Sequence, residues 1–212
     1  MIGALNHVLS SGMKSERQRP AMPWGLVMAG GESRRMGTAK AQLCGPDGKT
    51  WLTHAVGVLG SCCERVWVSV REPQRAAVPA ELEVIVDGYA DLGPAAGLLS
   101  AWDRFPDRAW LVLATDMPRV TAELLERLLA AREARGVATG FRHPDGVPEP
   151  LCTIWEPAAA ALVRAAAAGG KVSLSRLMDG SAVSWVSLDN PAQIKSVNTP
   201  AERARLEDET GS

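Results

Sequence analysis

Short apolar runs alternate with helix-patterned stretches along the first two-thirds of this chain, and that alternation limits the fold more than any other feature. Leu26–Ala29, Val66–Val70, Leu82–Val86 and Trp110–Ala114 are too short for buried helices and read as strands. Trp110–Ala114 is apolar without alternation, the pattern of a strand covered on both faces. Between these runs, Thr50–Leu59 places Leu52, Val56 and Leu59 at helical spacing, and Ala95–Trp102 follows a Gly93-Pro94 break. Thr121–Arg135 is the clearest helix, with Thr121 as its cap, a Leu124, Leu125, Leu128, Leu129 stripe and Gly136 as its stop. Strand–helix–strand units of this kind require parallel strands joined by crossover helices. The expectation is a three-layer α/β domain with a mostly parallel sheet.

The remainder continues the pattern less regularly. Val137–Phe141, Leu151–Trp155 and Ala182–Leu188 read as strands, Pro157–Ala168 and Ser173–Met178 as helices, and Phe141–Pro150 as an exposed loop or hairpin tip. A last helix opens at Thr199-Pro200, cap followed by first turn. With 212 residues, 46% of them hydrophobic and 22% charged, the chain can bury the core of one large domain. We expect it to occupy residues 24–212, after a loose N-terminal extension over 1–23. A net charge of -1 gives no electrostatic case for nucleic acid or an anionic membrane. No run approaches the ~20 apolar residues of a membrane span, and residues 1–23 lack the apolar core of a signal peptide, so a cytoplasmic setting is expected. Cys44, Cys62, Cys63 and Cys152, with His7, His54 and His143, show no metal-site spacing and read as reduced thiols and scattered histidines.

The chemistry concentrates at Leu26–Lys40, Leu-Val-Met-Ala-Gly-Gly-Glu-Ser-Arg-Arg-Met-Gly-Thr-Ala-Lys. A strand runs straight into a loop in which Gly30, Gly31 and Gly37 let backbone N–H groups approach anionic oxygens. Arg34, Arg35 and Lys40 add full positive charges. The spacing is neither the Gly-x-Gly-x-x-Gly of dinucleotide-binding folds nor the Walker A loop; Gly48-Lys49-Thr50 lacks the required upstream glycine. Asp87 follows the Leu82 strand and Asp116 follows the Trp110 strand, in Thr115-Asp116-Met117-Pro118. Either aspartate alone could cap a helix or a turn. Both fall at the sheet edge that carries the phosphate loop, where open α/β sheets bind ligands. Carboxylates are what Mg²⁺ takes from a protein, one or two per site, with substrate phosphates completing its shell.

Leu26–Lys40, Asp87-Gly-Tyr-Ala-Asp-Leu-Gly-Pro-Ala-Ala-Gly97, Thr115–Pro118 and Val197-Asn198-Thr199-Pro200-Ala201-Glu202 occur in an order that resembles the molybdenum cofactor guanylyltransferases, the MobA family of nucleotidyltransferases. The resemblance spans about Trp24 to Leu206. It implies a Rossmann-like domain and Mg²⁺-dependent transfer of GMP from GTP to molybdopterin, releasing pyrophosphate. It further implies contact with proteins that mature molybdoenzymes. Carried over, Met28, Ala29 and Gly30 match nucleotide-contacting backbone, Lys40 the lysine on the triphosphate, and Arg35 the arginine on the transferring phosphate. Asp87 matches a nucleotide-contacting aspartate and Asp116 the metal ligand. Gly31, Ser33, Arg34, Gly37, Gly97 and Asn198 belong to the same motifs and complete the nucleotide-site candidates.

Four positions depart from the family pattern. Ala39 replaces an aspartate, Ser196 an asparagine, and Glu149-Pro150-Leu151 an Arg/His-Pro-Thr-like segment. Ser69 stands where a guanine-contacting asparagine is expected, which predicts a narrower preference for GTP. Cytidylyltransferases share the first loop and Asp-Met-Pro, and a sugar-phosphate nucleotidyltransferase or a non-catalytic nucleotide binder would keep the fold. Gly93-Pro94-x-x-Gly97 and Asn198-Thr199-Pro200 favour the guanylyl branch.

Overall fold

In the computed structural model, the described residues are 20–31, 43, 45 and 48–210. Seven strands, β1 (Trp24–Met28), β2 (Val66–Val70), β3 (Glu83–Val86), β4 (Trp110–Ala114), β5 (Ala138–Arg142), β6 (Pro148–Trp155) and β7 (Val183–Val186), form one sheet in the order β3-β2-β1-β4-β6-β5-β7. The pairings of β1 with β2, β1 with β4, β2 with β3 and β5 with β7 are parallel. β6 is the exception, antiparallel to both β4 and β5. The expected three-layer, mostly parallel α/β architecture is present.

The described residues form six α-helices, α1 (Trp51–Gly60), α2 (Pro94–Arg104), α3 (Ala122–Ala130), α4 (Ala159–Ala168), α5 (Leu174–Asp179) and α6 (Pro200–Thr210); the first five pack on the sheet's two faces, while Leu206 of α6 packs with Leu43, Trp51 and Val197. Leu52, Ala55 and Leu59 of α1 and Leu124, Leu125 and Leu128 of α3 pack with Val27, Leu111 and Leu113 on one face. Leu98, Leu99 and Trp102 of α2, Val163 of α4 and Leu174 of α5 pack with Leu26 and Val112 on the other. The alternation of side chains along β1 and β4 sends successive residues to opposite cores. Trp24, Trp67, Trp110 and Trp155 fill the sheet toward one end, near the starts of β1, β2 and β4. Small residues (Ala29, Gly30, Ser69, Ala114) stand at the other end, and there the fold opens into a cavity.

Most strand and helix bounds shift from expectation by one or two residues, and two elements differ more. α3 stops at Ala130 rather than Arg135, because the leucine stripe ends at Leu129 and Arg132 turns inward. Its guanidinium forms a bidentate pair with the buried Glu156, at 2.6 and 2.9 Å, and also bonds the Ala21 carbonyl. The segment Phe141–Pro150 is a hairpin, but only its tip is loop. Pro148 and Glu149 are buried in β6, which starts before the expected Leu151. Short 3₁₀ turns at Glu72–Ala77 and Pro191–Ile194 were not anticipated. Residues 1–19, most of the expected extension, lie outside the described residues. Among the described residues no helix is long and apolar enough to cross a membrane.

Candidate active site

Strand order sets the position of the site. From β1 the chain moves outward to β2 and β3, then returns to place β4 on the other side of β1. The connections therefore diverge at the carboxyl ends of β1 and β4, the crevice where such sheets hold ligands. A cavity of about 510 Å³ opens there, walled by Met28–Gly31, Ser69, Arg71, Asp87, the start of α2, Ala114–Asp116 and Leu151.

The β1 side is fixed by backbone bonds. Ala29 N–H donates to the Ser69 carbonyl (2.9 Å) and Thr115 N–H to that of Met28 (3.3 Å), so the three strand ends stay level. Asp87 leaves β3 with its N–H on the Val70 carbonyl (2.8 Å). Its Oδ1 accepts the Ser69 hydroxyl at 2.7 Å. Burial pushes the Asp87 carboxyl above its ordinary range; the Ser69 hydroxyl and the Arg71 guanidinium partly reverse the shift. Arg71 is in turn held by Gln74, whose Oε1 takes both its backbone N–H (3.1 Å) and its Nε (3.4 Å).

The loop from Asp87 to α2 is tightly specified. Gly88 N–H donates to Ser100 Oγ at 2.9 Å, which ties the loop to α2. Gly93, the residue before α2, has φ 56° and ψ -138°, a conformation open essentially to glycine alone. Pro94 then starts the helix without wasting a donor. Gly97 stands one turn further in, behind the cavity wall. A Cβ there would overlap Ser69 Oγ and lie 2.9 Å from Met28 Sδ, so glycine lets α2 close onto β1 and β2.

Asp116 follows β4 as expected, its Oδ1 shielded from solvent. Its backbone carbonyl accepts Val197 N–H at 2.8 Å, which draws the Asn198-Thr199-Pro200 segment to the same strand end. There Glu202 Oε2 takes the N–H groups of Asn198 (2.8 Å) and Thr199 (3.1 Å), while Thr199 Oγ1 takes that of Glu202 (3.2 Å). This reciprocal capping box starts α6 and fixes Asn198 beside β4. Glu149 lies on the far side of Asp116. Burial raises its carboxyl above the ordinary range, the Leu151 N–H and His143 oppose that, and the Asp116 charge adds to it.

Of the residues expected to form the site, Met28, Ala29, Gly30, Gly31, Ser69, Asp87 and Asp116 wall one cavity. Gly97 sits behind it and Asn198 joins through the backbone of Asp116. Ser33, Arg34, Arg35, Gly37 and Lys40 lie outside the described residues. Arg71, absent from the expected set, also lines the cavity, and its position just beyond the carboxyl end of β2 is the same signal that marks Asp87 and Asp116. Leu151 and Glu149 carried no such signal, because Glu149-Pro150 reads as a turn. Among the described residues no three His, Cys, Asp or Glu side chains gather into a metal cage. Asp87, Asp91 and Asp116 line the cavity, and a carboxylate there suits a hard cation that shares its shell with phosphates.

The model of the MobA-like NTP transferase domain matches residues 25–184. A Mycobacterium marinum protein named "Probable molybdenum cofactor guanylyltransferase" is 35% identical over 184 residues, 84% of this chain and 90% of that one. The "Molybdenum cofactor biosynthesis bifunctional protein" of Synechocystis is 31% identical over 185 residues, 86% of this chain; the match spans only 53% of that longer protein. Among solved structures, molybdopterin-guanine dinucleotide biosynthesis protein A of Archaeoglobus fulgidus shares the fold at TM-score 0.75 and 24% identity, over 89% of this chain and 98% of that one. A match running from β1 into the first half of β7, with a 35% identical relative covered over 90% of its length, establishes that the chain belongs to the MobA-like NTP transferase family.

Proposed function

We propose that this protein transfers GMP from GTP to the phosphate of molybdopterin and releases pyrophosphate, with Mg²⁺ as cofactor. The observation that carries the reading is the pair Asp87 and Asp116 facing one cavity across the β1–β4 crevice, in a chain 35% identical to a protein named for this activity. A phosphate oxygen of the acceptor attacks the α-phosphorus of GTP. The bond from that phosphorus to the bridging oxygen breaks, and pyrophosphate leaves with the electron pair. The nucleophile is already ionised near neutral pH, so the site needs no general base. Its task is to hold anions together and stabilise charge on the α-phosphate.

Asp116 fits the metal: its carboxylate faces the cavity at the end of β4, where the triphosphate and the acceptor phosphate would meet. Mg²⁺ held there would neutralise phosphate charge. Lys40 and Arg35 would grip the phosphates from the glycine-rich loop. The backbone at Met28–Gly30, which lines the cavity, would meet the guanine edge. Asp87 would accept hydrogen bonds from the nucleoside, its carboxylate aimed by Ser69. A cytoplasmic setting, with molybdoenzyme-maturation proteins as partners, belongs to the same reading. The test is product formation. Protein, Mg²⁺, GTP and molybdopterin should yield the dinucleotide and one pyrophosphate per turnover, and omission of either substrate should abolish both. GTP hydrolysis to GMP without acceptor transfer would overturn the proposal.

A further inference from the structure

The pairing of β5 with β6 breaks next to the cavity. Residues run in register from Ala138 opposite Trp155 to Gly140 opposite Thr153, and the next pair is Phe141 opposite Glu149. Pro150, Leu151 and Cys152 therefore have no partner on β5, while β6 still pairs with β4 as far as Cys152 opposite Leu113. A bulge bends its strand and re-aims the side chains within it, and the backbone groups it frees must find other partners.

Here the freed groups are satisfied by side chains. Leu151 N–H donates to Glu149 Oε1 at 2.8 Å. Pro150 has no N–H to satisfy, and its carbonyl accepts Trp155 Nε1 at 3.0 Å. Thr153 Oγ1 donates to the Glu149 carbonyl. Opposite it, a Cβ on Gly140 would stand 2.7 Å from that hydroxyl, so glycine leaves the room it needs. Glu149 is only 8% exposed, and its Oε2 pairs with His143 Nε2 at 3.0 Å, which binds the hairpin tip to the bulge. The outcome is that Leu151, half-buried and apolar, lines the cavity, the only residue of β6 among those described to do so.

The two substrates must meet near Asp116 and cannot occupy the same half of the crevice. The nucleotide half is built on β1, β2 and β3, where Gly30, Ser69 and Asp87 converge. The acceptor is left the half over β4 and β6. Resting on the function proposed above, we infer that Leu151 is a specificity-determining residue for the acceptor, an apolar wall for its ring system, and that Glu149 is a positioning residue that holds Leu151 in place through the bulge.

The test is steady-state kinetics with GTP and molybdopterin varied separately, on the full chain. Leu151→Ala and Leu151→Asn are expected to raise KM for molybdopterin about tenfold and leave KM for GTP within about twofold; Leu151→Met should stay near wild type. Glu149→Ala should copy the Leu151→Ala split, and Glu149→Gln, which keeps an oxygen for the Leu151 N–H, should restore the acceptor KM. Thermal melting accompanies each variant, and Leu151→Ala carries the test if the polar variant fails to fold. An unchanged acceptor KM in an active Leu151→Ala enzyme, or an equal rise in both KM values, overturns the inference and leaves the proposed function standing. A wild-type protein that binds GTP but makes no dinucleotide overturns the proposed function, and the acceptor wall falls with it.

Discussion

Replacing Ser69 by alanine removes one hydroxyl that is 1% exposed and 2.7 Å from Asp87 Oδ1. A hydrogen bond to a charged group contributes about 1.5–3 kcal/mol. Asp87 keeps Arg71 nearby and stays partly hydrated, so the lower end applies, ~1.5 kcal/mol or roughly tenfold in affinity. Because the hydroxyl favours the charged carboxylate, its loss moves the Asp87 pKa further up from an already raised position. Ser69→Ala should therefore weaken Mg·GTP binding roughly tenfold at pH 7, and the acid limb of the binding profile should shift to higher pH. Titration calorimetry from pH 5 to 8 reads both effects. Binding within twofold of wild type, with an unshifted acid limb, would refute the claim that Ser69 acts through Asp87. An asparagine at position 69, the residue that the family pattern leads one to expect there, would be crowded in this structure. Ser69 Oγ already occupies the space left by the missing Cβ of Gly97, and a longer amide would press on α2. Ser69→Asn should melt lower than wild type and bind GTP less well.

Other outcomes follow from the same geometry. Asp116→Asn should abolish transfer while far-UV circular dichroism stays unchanged; wild-type turnover at limiting Mg²⁺ would refute the metal role. Asp87→Asn should lose GTP affinity yet melt higher than wild type at pH 7. The raised Asp87 pKa means that charging this group costs stability as pH rises through it, so the gap should close on acidification below about pH 4, where the carboxyl is protonated in both states. Glu156→Ala leaves Arg132 buried without its partner and should cost about 3–5 kcal/mol in chemical denaturation, most of it recovered by pairing Glu156→Leu with Arg132→Met.

The half of the molecule built from consecutive strand–helix units was legible because each strand announced itself locally. Trp110–Ala114 is an unbroken apolar run, Val66–Val70 is a run interrupted only by Ser69, and Thr121 and Thr199 are caps with a mechanism; the bounds of β2 and β4 and the starts of α3 and α6 agree with that reading. The rule that ligands lie beyond strand carboxyl ends puts Asp87 and Asp116 together, and both line the cavity. What stayed hidden depends on contacts distant in sequence. The start of β6 was missed because Glu149 and Pro150 have the composition of a turn, and only the bonds from Leu151, Thr153 and Trp155 make them a bulge. α3 ends sooner than its own sequence indicates because nothing local shows that Arg132 prefers Glu156, 24 residues on, to helix-face solvent. Ser69 was matched to a base-contacting asparagine by position, whereas its hydroxyl turns to Asp87, a partner fixed by strand register.

The central claim is that this cavity joins GMP to molybdopterin. Its most direct test is to incubate the protein with Mg²⁺, molybdopterin and each of GTP, CTP, ATP and UTP in separate reactions, and to identify the product by mass. The dominant product should be the molybdopterin guanine dinucleotide, with pyrophosphate released in equal amount. A preference for CTP, or no dinucleotide from any nucleotide, would contradict it.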